Sequence, residues 1–150
     1  ACGLITQYLV LDGNPCDADH VKESLEGHKE TFGRAPDLYS SDRGFHSDDN
    51  ERACRKAGVK IVCIPQRGGK KTPEREAYEK SPAFKKGQRF RAGIEGRISV
   101  LFRGRGMKRA LVQGRERFEV LVGAAVLANN LIIIANLLNK QREKSQRRAA

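Results

Sequence analysis

The chain has 150 residues, 39% of them hydrophobic, and a formal net charge of +11. That content is too apolar for a disordered chain, and the length suits one domain with a core. Residues 1–65 carry 8 Lys+Arg against 11 Asp+Glu, whereas residues 66–150 carry 21 against 7, so the basic second half points to a polyanion partner, because Lys and Arg release condensed counterions when they neutralise phosphates.

The four cysteines, Cys2, Cys16, Cys54 and Cys63, form no C-x-x-C, and Cys16 with His20 has no matching second pair. Neither zinc nor redox chemistry is indicated. Cys54 and Cys63 lie in apolar patterns and read as buried, reduced thiols. His20, His28 and His46 are scattered and read as structural or surface residues. The first residues do not resemble a signal peptide; beginning as if inside a strand, the chain reads as part of something longer.

In chain order, Leu4 to Leu11 is β-branched and apolar and ends at the turn signal Asp12-Gly13-Asn14-Pro15, which predicts a strand. Val21, Leu25, His28 and Phe32 recur at helical spacing behind Asp17 and ahead of Gly33 and Pro36, which predicts an amphipathic helix. Asp37 to Ser41 reads as a short strand stopped by Asp42-Arg43-Gly44. Ser47 as N-cap, acids at 48, 49 and 51, and Gly58 as stop predict a second helix. Val59 to Pro65 reads as a strand apolar on both faces. Strand, helix, strand, helix, strand argues for a parallel sheet with crossover helices.

Residues 66–91 hold nine Lys+Arg, Pro73 and Pro82, and read as a basic, partly irregular connection. A helix resumes near Gln88, with Ile94, Ile98 and Leu101 on one face, and ends at Gly104 and Gly106. Arg115 to Lys144 predicts a long helix whose residues 120–139 carry no charge, a length that reaches across a bilayer. Asn129, Asn130, Asn136 and Asn139 would each need a partner in lipid, so burial against a sheet is the preferred reading and no membrane is expected. Residues 1–140 are thus assigned to one domain, and 141–150 to a basic disordered tail.

Three acids stand apart. Asp42 lies at the C-terminal end of a predicted interior strand, where open α/β sheets place functional groups. Glu95 lies on the later helix, one acid among five arginines between Arg89 and Gly106. Asp12 has a sufficient explanation in its turn. On pattern alone the local roles are preferred for the other two as well: an Asx-turn at Asp42, and at Glu95 an ion pair with Arg91, one turn back.

Ser41-Asp42-Arg43-Gly44-Phe45, Arg91-Ala92-Gly93-Ile94-Glu95-Gly96-Arg97 and the tail Gly123 to Leu138 together resemble the C-terminal part of bacterial insertion-sequence transposases with a DDE catalytic domain. The resemblance runs from about Gly3 to Asn139. It implies an α/β fold, a ribonuclease-H-like mixed sheet with helices on both faces, truncated at its N-terminus. It implies DNA transposition by metal-dependent strand cleavage and transfer, three carboxylates holding two Mg²⁺ (or Mn²⁺) ions roughly 3.5 to 4 Å apart. Asp42 becomes the second acid and Glu95 the third, both catalytic and metal-binding, with the first expected ahead of Gly3. The implied partner is double-stranded DNA, at element ends and target, with a homodimer as an open assembly and a cytoplasmic, nucleoid-associated location. Arg91, Arg97, Lys70, Lys71, Lys85, Lys86, Arg89 and Arg103 are the candidate DNA contacts. Phe102 stands where related transposases carry a basic residue. A catalytically inactive, DNA-binding remnant is the alternative.

Overall fold

The computed structural model describes residues 3–13, 15–109 and 111–149; Cys2 and Asn14 of the predicted turn lie outside them. Contacts divide the chain into two compact units, one of residues 6–95 and one of residues 1–5 with 96–150.

In the first unit, a 3₁₀ turn (Asp17–His20) leads into α1 (Val21–Phe32), which stops at Gly33 with a left-handed φ of 69°. Strand β1 (Leu38–Ser40) is followed by a second 3₁₀ turn (Arg43–Phe45), by α2 (Asp48–Ala57) and by β2 (Ile61–Cys63). The two strands pair in parallel, Leu38 with Ile61 and Ser40 with Cys63. Helix α2 begins where the sequence places it: the Ser47 hydroxyl accepts the Asn50 N–H at 3.1 Å, a cap that contributes about 1 kcal/mol. It ends at Gly58, whose φ of 98° only glycine adopts freely. The α1 stripe Val21 and Leu25, Cys54 of α2, and Val59, Val62 and Ile64 around β2 close a buried core. Val62, Cys63 and Ile64 are at most 1% exposed, as a strand covered on both faces requires. Cys54 and Cys63 are free, buried thiols, and burial pushes the Cys54 thiol up to about 11.

The basic connection is more ordered than its composition suggests. Thr72 caps α3 (Pro73–Lys80) by accepting the Arg75 N–H, with Pro73 at the first helical position, and α4 (Pro82–Gly104) follows after Ser81. The resumed helix therefore begins six residues before the expected Gln88. Arg75 fastens α3 to the core, donating to the Ile64 carbonyl and pairing with Glu51 of α2 and with Glu79. Glu79 also accepts the Gln66 N–H at 2.9 Å and pairs with Lys71. Tyr78 donates to the Val62 carbonyl at 3.0 Å.

The second unit contains the end of α4 and α5 (Arg115–Ala149). Helix α5 buries Val122, Ala125, Val126 and Asn129, one stripe at helical spacing, and leaves Leu127, Leu131, Ile134 and Leu138 exposed. Its 34 residues Arg115–Arg148 are long and apolar enough to cross a membrane, and 22% of the most apolar window is buried. The expected burial against a sheet is not found: no strand is described in this unit. The helix also continues through the residues read as a disordered tail, whose Gln, Arg, Glu and Lys are good helix formers.

The ribonuclease-H-like mixed sheet with helices on both faces is overturned. The protein is mostly helical, at 65%, and the described residues form one two-stranded parallel sheet. The predicted first strand, Leu4 to Leu11, makes no ladder. The Ile5 N–H instead donates to the Asn130 side chain at 3.0 Å, and the Ile5 carbonyl accepts from that amide at 2.7 Å. Tyr8, Leu9 and Leu11 remain exposed. At Ile5 the backbone groups that a strand would offer to a neighbour are taken by that side chain.

The Glu79 network gives an acid-sensitive term. Burial opposes ionisation of Glu79, but the Gln66 N–H, Lys71 and Arg75 outweigh it and hold its carboxyl below the ordinary 4.5. The folded value being depressed, the stabilisation is complete above the unfolded value and disappears as pH falls through the folded one. Glu79→Gln is expected to lose about 1–3 kcal/mol at pH 7, and the gap in Tm between variant and wild type should close below pH 4.5. Thermal unfolding followed by circular dichroism across pH 3–8 measures it; a gap independent of pH would contradict the ionic origin.

Candidate active site

Asp42 follows β1 and N-caps the 3₁₀ turn. Its Oδ1 accepts the Gly44 N–H at 2.8 Å, the Asx-turn expected from the pattern. This bond fixes the carboxylate so that its other oxygen, Oδ2, lies 3.7 Å from Arg91 Nη2. The same Nη2 is 3.0 Å from Glu95 Oε1, the expected one-turn ion pair. Both local readings hold, and the two acids, separated by 52 intervening residues, meet at one guanidinium nitrogen. Their oxygens are therefore no further apart than those two distances combined.

Helix α4 reaches this position through Gly87. A Cβ at Gly87 would stand 2.3 Å from Cys63 Sγ and 2.9 Å from Cys63 Cβ, so only glycine lets the helix lie this close to β2. Polar contacts lock the approach. Ser40 Oγ donates to the Gly87 carbonyl at 2.9 Å, and the Gln88 amide donates to the carbonyls of Cys63 at 2.6 Å and Ser41 at 3.2 Å. Arg91 and Glu95 then follow Gly87 by four and eight residues, about one and two turns along the same face.

Asp17, which the sequence reading passed over, joins the site. A point above Gly44, where a Cβ would be, lies 2.7 Å from Asp17 Oδ2 and 3.0 Å from Asp42 Oδ1. The buried Asn50 amide holds the two 3₁₀ turns together by donating to the carbonyls of Ala18, at 2.8 Å, and Phe45, at 3.0 Å. An open cavity of about 580 Å³ lies here, lined among others by Asp17, Asp42, Arg43, Arg67 and Arg91.

The other predicted DNA contacts are dispersed. Lys70, Lys85, Lys86, Arg89 and Arg103 are exposed, as is Phe102. Lys71 is engaged by Glu79. Arg97 is not directed outward: it donates to the Gly3 carbonyl at 3.1 Å.

A pair of Mg²⁺ ions needs three carboxylates, and among the described residues no group of three or more His, Cys, Asp or Glu gathers to hold an ion. Asp42 and Glu95 converge on a guanidinium instead. The side chains present do not complete a two-metal centre, and no step of chemistry follows from them through a metal. No family model, curated protein or solved structure matches the chain.

The close approach is testable. Gly87→Ala is expected to cost about 1–3 kcal/mol through overpacking, and Cys63→Ala, which deletes the sulfur the new methyl meets, should recover part of that loss. Urea unfolding of both single variants and the double variant measures the coupling; strictly additive effects would show that Gly87 does not pack on Cys63.

Proposed function

We propose that the chain is part of a DDE-type transposase, acting on cytoplasmic, nucleoid-associated bacterial DNA by divalent-metal-dependent strand cleavage and transfer, with Asp42 and Glu95 as two of its carboxylates. The observation that carries the reading is the meeting of those two acids at Arg91, beside the C-terminal end of β1. Function resides in such a site and does not require the sheet that the resemblance implied. The basic second half supports the DNA partner: exposed Lys85, Lys86 and Arg89 precede the site on α4 and suit contacts that position a phosphate backbone without reading bases.

The residues themselves bind and orient. The Asx-turn holds Asp42, and Arg91 holds both acids in mutual range while neutralising their repulsion. In the intact site Asp42 and Glu95 would contribute oxygens to Mg²⁺ or Mn²⁺, and the metal would supply Lewis acidity toward the phosphate. The guanidinium between the acids favours a second reading, a DNA-binding remnant without cleavage, since a metal would have to displace it.

Incubation of supercoiled plasmid with the chain supplied with the segment ahead of Gly3, which the reading expects to carry the first acid, separates the two. The transposase reading expects nicking only with Mg²⁺ or Mn²⁺, lost in Asp42→Asn and Glu95→Gln while DNA affinity changes less than about threefold. Binding without nicking in the wild type would favour the remnant, and nicking that survives Glu95→Gln would remove Glu95 from the site. Absence of DNA binding would remove both readings.

Helix α5 provides an independent check. A DNA-acting protein is expected to remain in the aqueous phase of a detergent partition. Transfer of the chain to the detergent phase would instead make Arg115–Arg148 a membrane anchor.

A further inference from the structure

Strands β1 and β2 run in parallel, so the loops that leave them emerge at the same edge. Arg43 leaves β1 in the 3₁₀ turn, and Arg67 leaves β2 just ahead of Gly68, which turns the chain with a φ of 67°. Both side chains line the open cavity beside Asp42. Arg91 lines it too, but its charge is already engaged by Asp42 and Glu95. Arg43 and Arg67 differ: both are exposed, and neither has a carboxylate partner among the described residues. Two other exposed arginines of this unit, Arg34 and Arg52, are paired, with Asp37 and with Asp49. Two guanidinium groups without carboxylate partners line one concave surface, with glycine at Gly44 and Gly68 keeping side chains out of the way, and guanidinium is the donor group suited to the oxygens of a tetrahedral anion. Asp17 and Asp42 line the same cavity and repel an anion, which leaves the side of Arg43 and Arg67 as the place for it.

We propose that Arg43 and Arg67 form a phosphate clamp at the rim of this cavity, taking one phosphodiester group of the DNA backbone and presenting the neighbouring strand to Asp42. The proposal rests on the DNA reading above. It adds two residues outside the Asp42–Arg91–Glu95 constellation and does not depend on whether the chain cleaves. The shared chemistry is a phosphate group; a free phosphate ion would be recognised by the same donors, and the experiment separates the two sources.

In the wild-type chain, arginine modification by phenylglyoxal mapped by mass spectrometry should slow at least fivefold at Arg43 and Arg67 when a 20-base-pair duplex is present. Arg34 and Arg52, on exposed ion pairs of the same unit, should be unaffected. Inorganic phosphate at the same phosphate concentration should protect neither arginine of the clamp. The double variant Arg43→Gln/Arg67→Gln should retain its Tm and lower the slope of log Kd against log salt by about 0.9, the share of one phosphate contact. A loss of about 1.8 would mean two separate contacts and no shared clamp. Equal labelling with and without duplex would overturn the site, and protection by inorganic phosphate as strong as by duplex would overturn its assignment to the DNA backbone. Failure of plasmid nicking leaves each of these outcomes readable, so loss of the catalytic reading and loss of the clamp are told apart.

Discussion

The arrangement of the site depends on the close approach of α4 to the end of the parallel pair at Gly87. A helix that meets a strand through a glycine comes closer than side chains otherwise permit, and here the absent methyl is replaced by the Cys63 sulfur. Once that contact is made, helical phase does the rest. Positions 91 and 95 fall on the same face as 87, and the C-terminal end of β1 has already delivered Asp42 to the same edge. The Ser40 hydroxyl donates to the Gly87 carbonyl of the helix, and the Gln88 amide donates to the carbonyls of Cys63 and Ser41 at the ends of the two strands, so the approach is also fixed by polar contacts. The same contacts thus close the packing and set the axial position of Arg91 and Glu95.

A second constraint operates on the other side of Asp42. The Asn50 amide, on α2, joins two turns that lie 26 residues apart between Asp17 and Arg43, and through them places Asp17 against Gly44. Buried amides with both donors satisfied are rigid cross-links, since breaking one leaves an uncompensated polar group inside. The carboxylates therefore rest on two turns cross-linked by a buried amide, whereas Arg43 and Arg67, exposed on the same cavity, have no carboxylate partner among the described residues.

Where local signals exist, the elements were legible. Ser47 and Gly58 bracket α2, Gly33 ends α1, and the both-faces-apolar run at 59–65 contains β2. The Thr72-Pro73 and Ser81-Pro82 pairs carry the same information, an N-cap followed by proline at the first turn, but the basic composition around them obscured it. Leu4 to Leu11 failed for a different reason. β-propensity expresses itself only against a partner strand, and the partner of Ile5 is an Asn side chain 125 residues away, a contact that no local pattern encodes. The long apolar run of α5 was readable as a helix, whereas the degree of its burial was not, because periodicity alone does not say how many faces are covered. Within the site, Asp42, Arg91 and Glu95 could be singled out from motif and position. Asp17 could not, since its place follows from Asn50 and from a turn whose residues look like an ordinary helix start.

The local and functional explanations of the two acids are not competitors. An Asx-turn at Asp42 and a one-turn ion pair at Glu95 are each sufficient on a helix or turn in isolation, and each is present. What isolation does not require is that the partner of Glu95 should also face Asp42, and the packing at Gly87 provides that. An exposed i,i+4 pair contributes only about 0.3–0.5 kcal/mol, too little to dictate where α4 lies. The convergence on Arg91 is therefore a consequence of the helix position and not its cause, and the helix position is set by the Gly87 approach to Cys63 and the uncharged hydrogen bonds of Ser40 and Gln88 beside it. A charged constellation assembled by uncharged contacts is free to exchange its partners, because removing the guanidinium from between the acids would leave the packing and hydrogen bonds that brought them together intact.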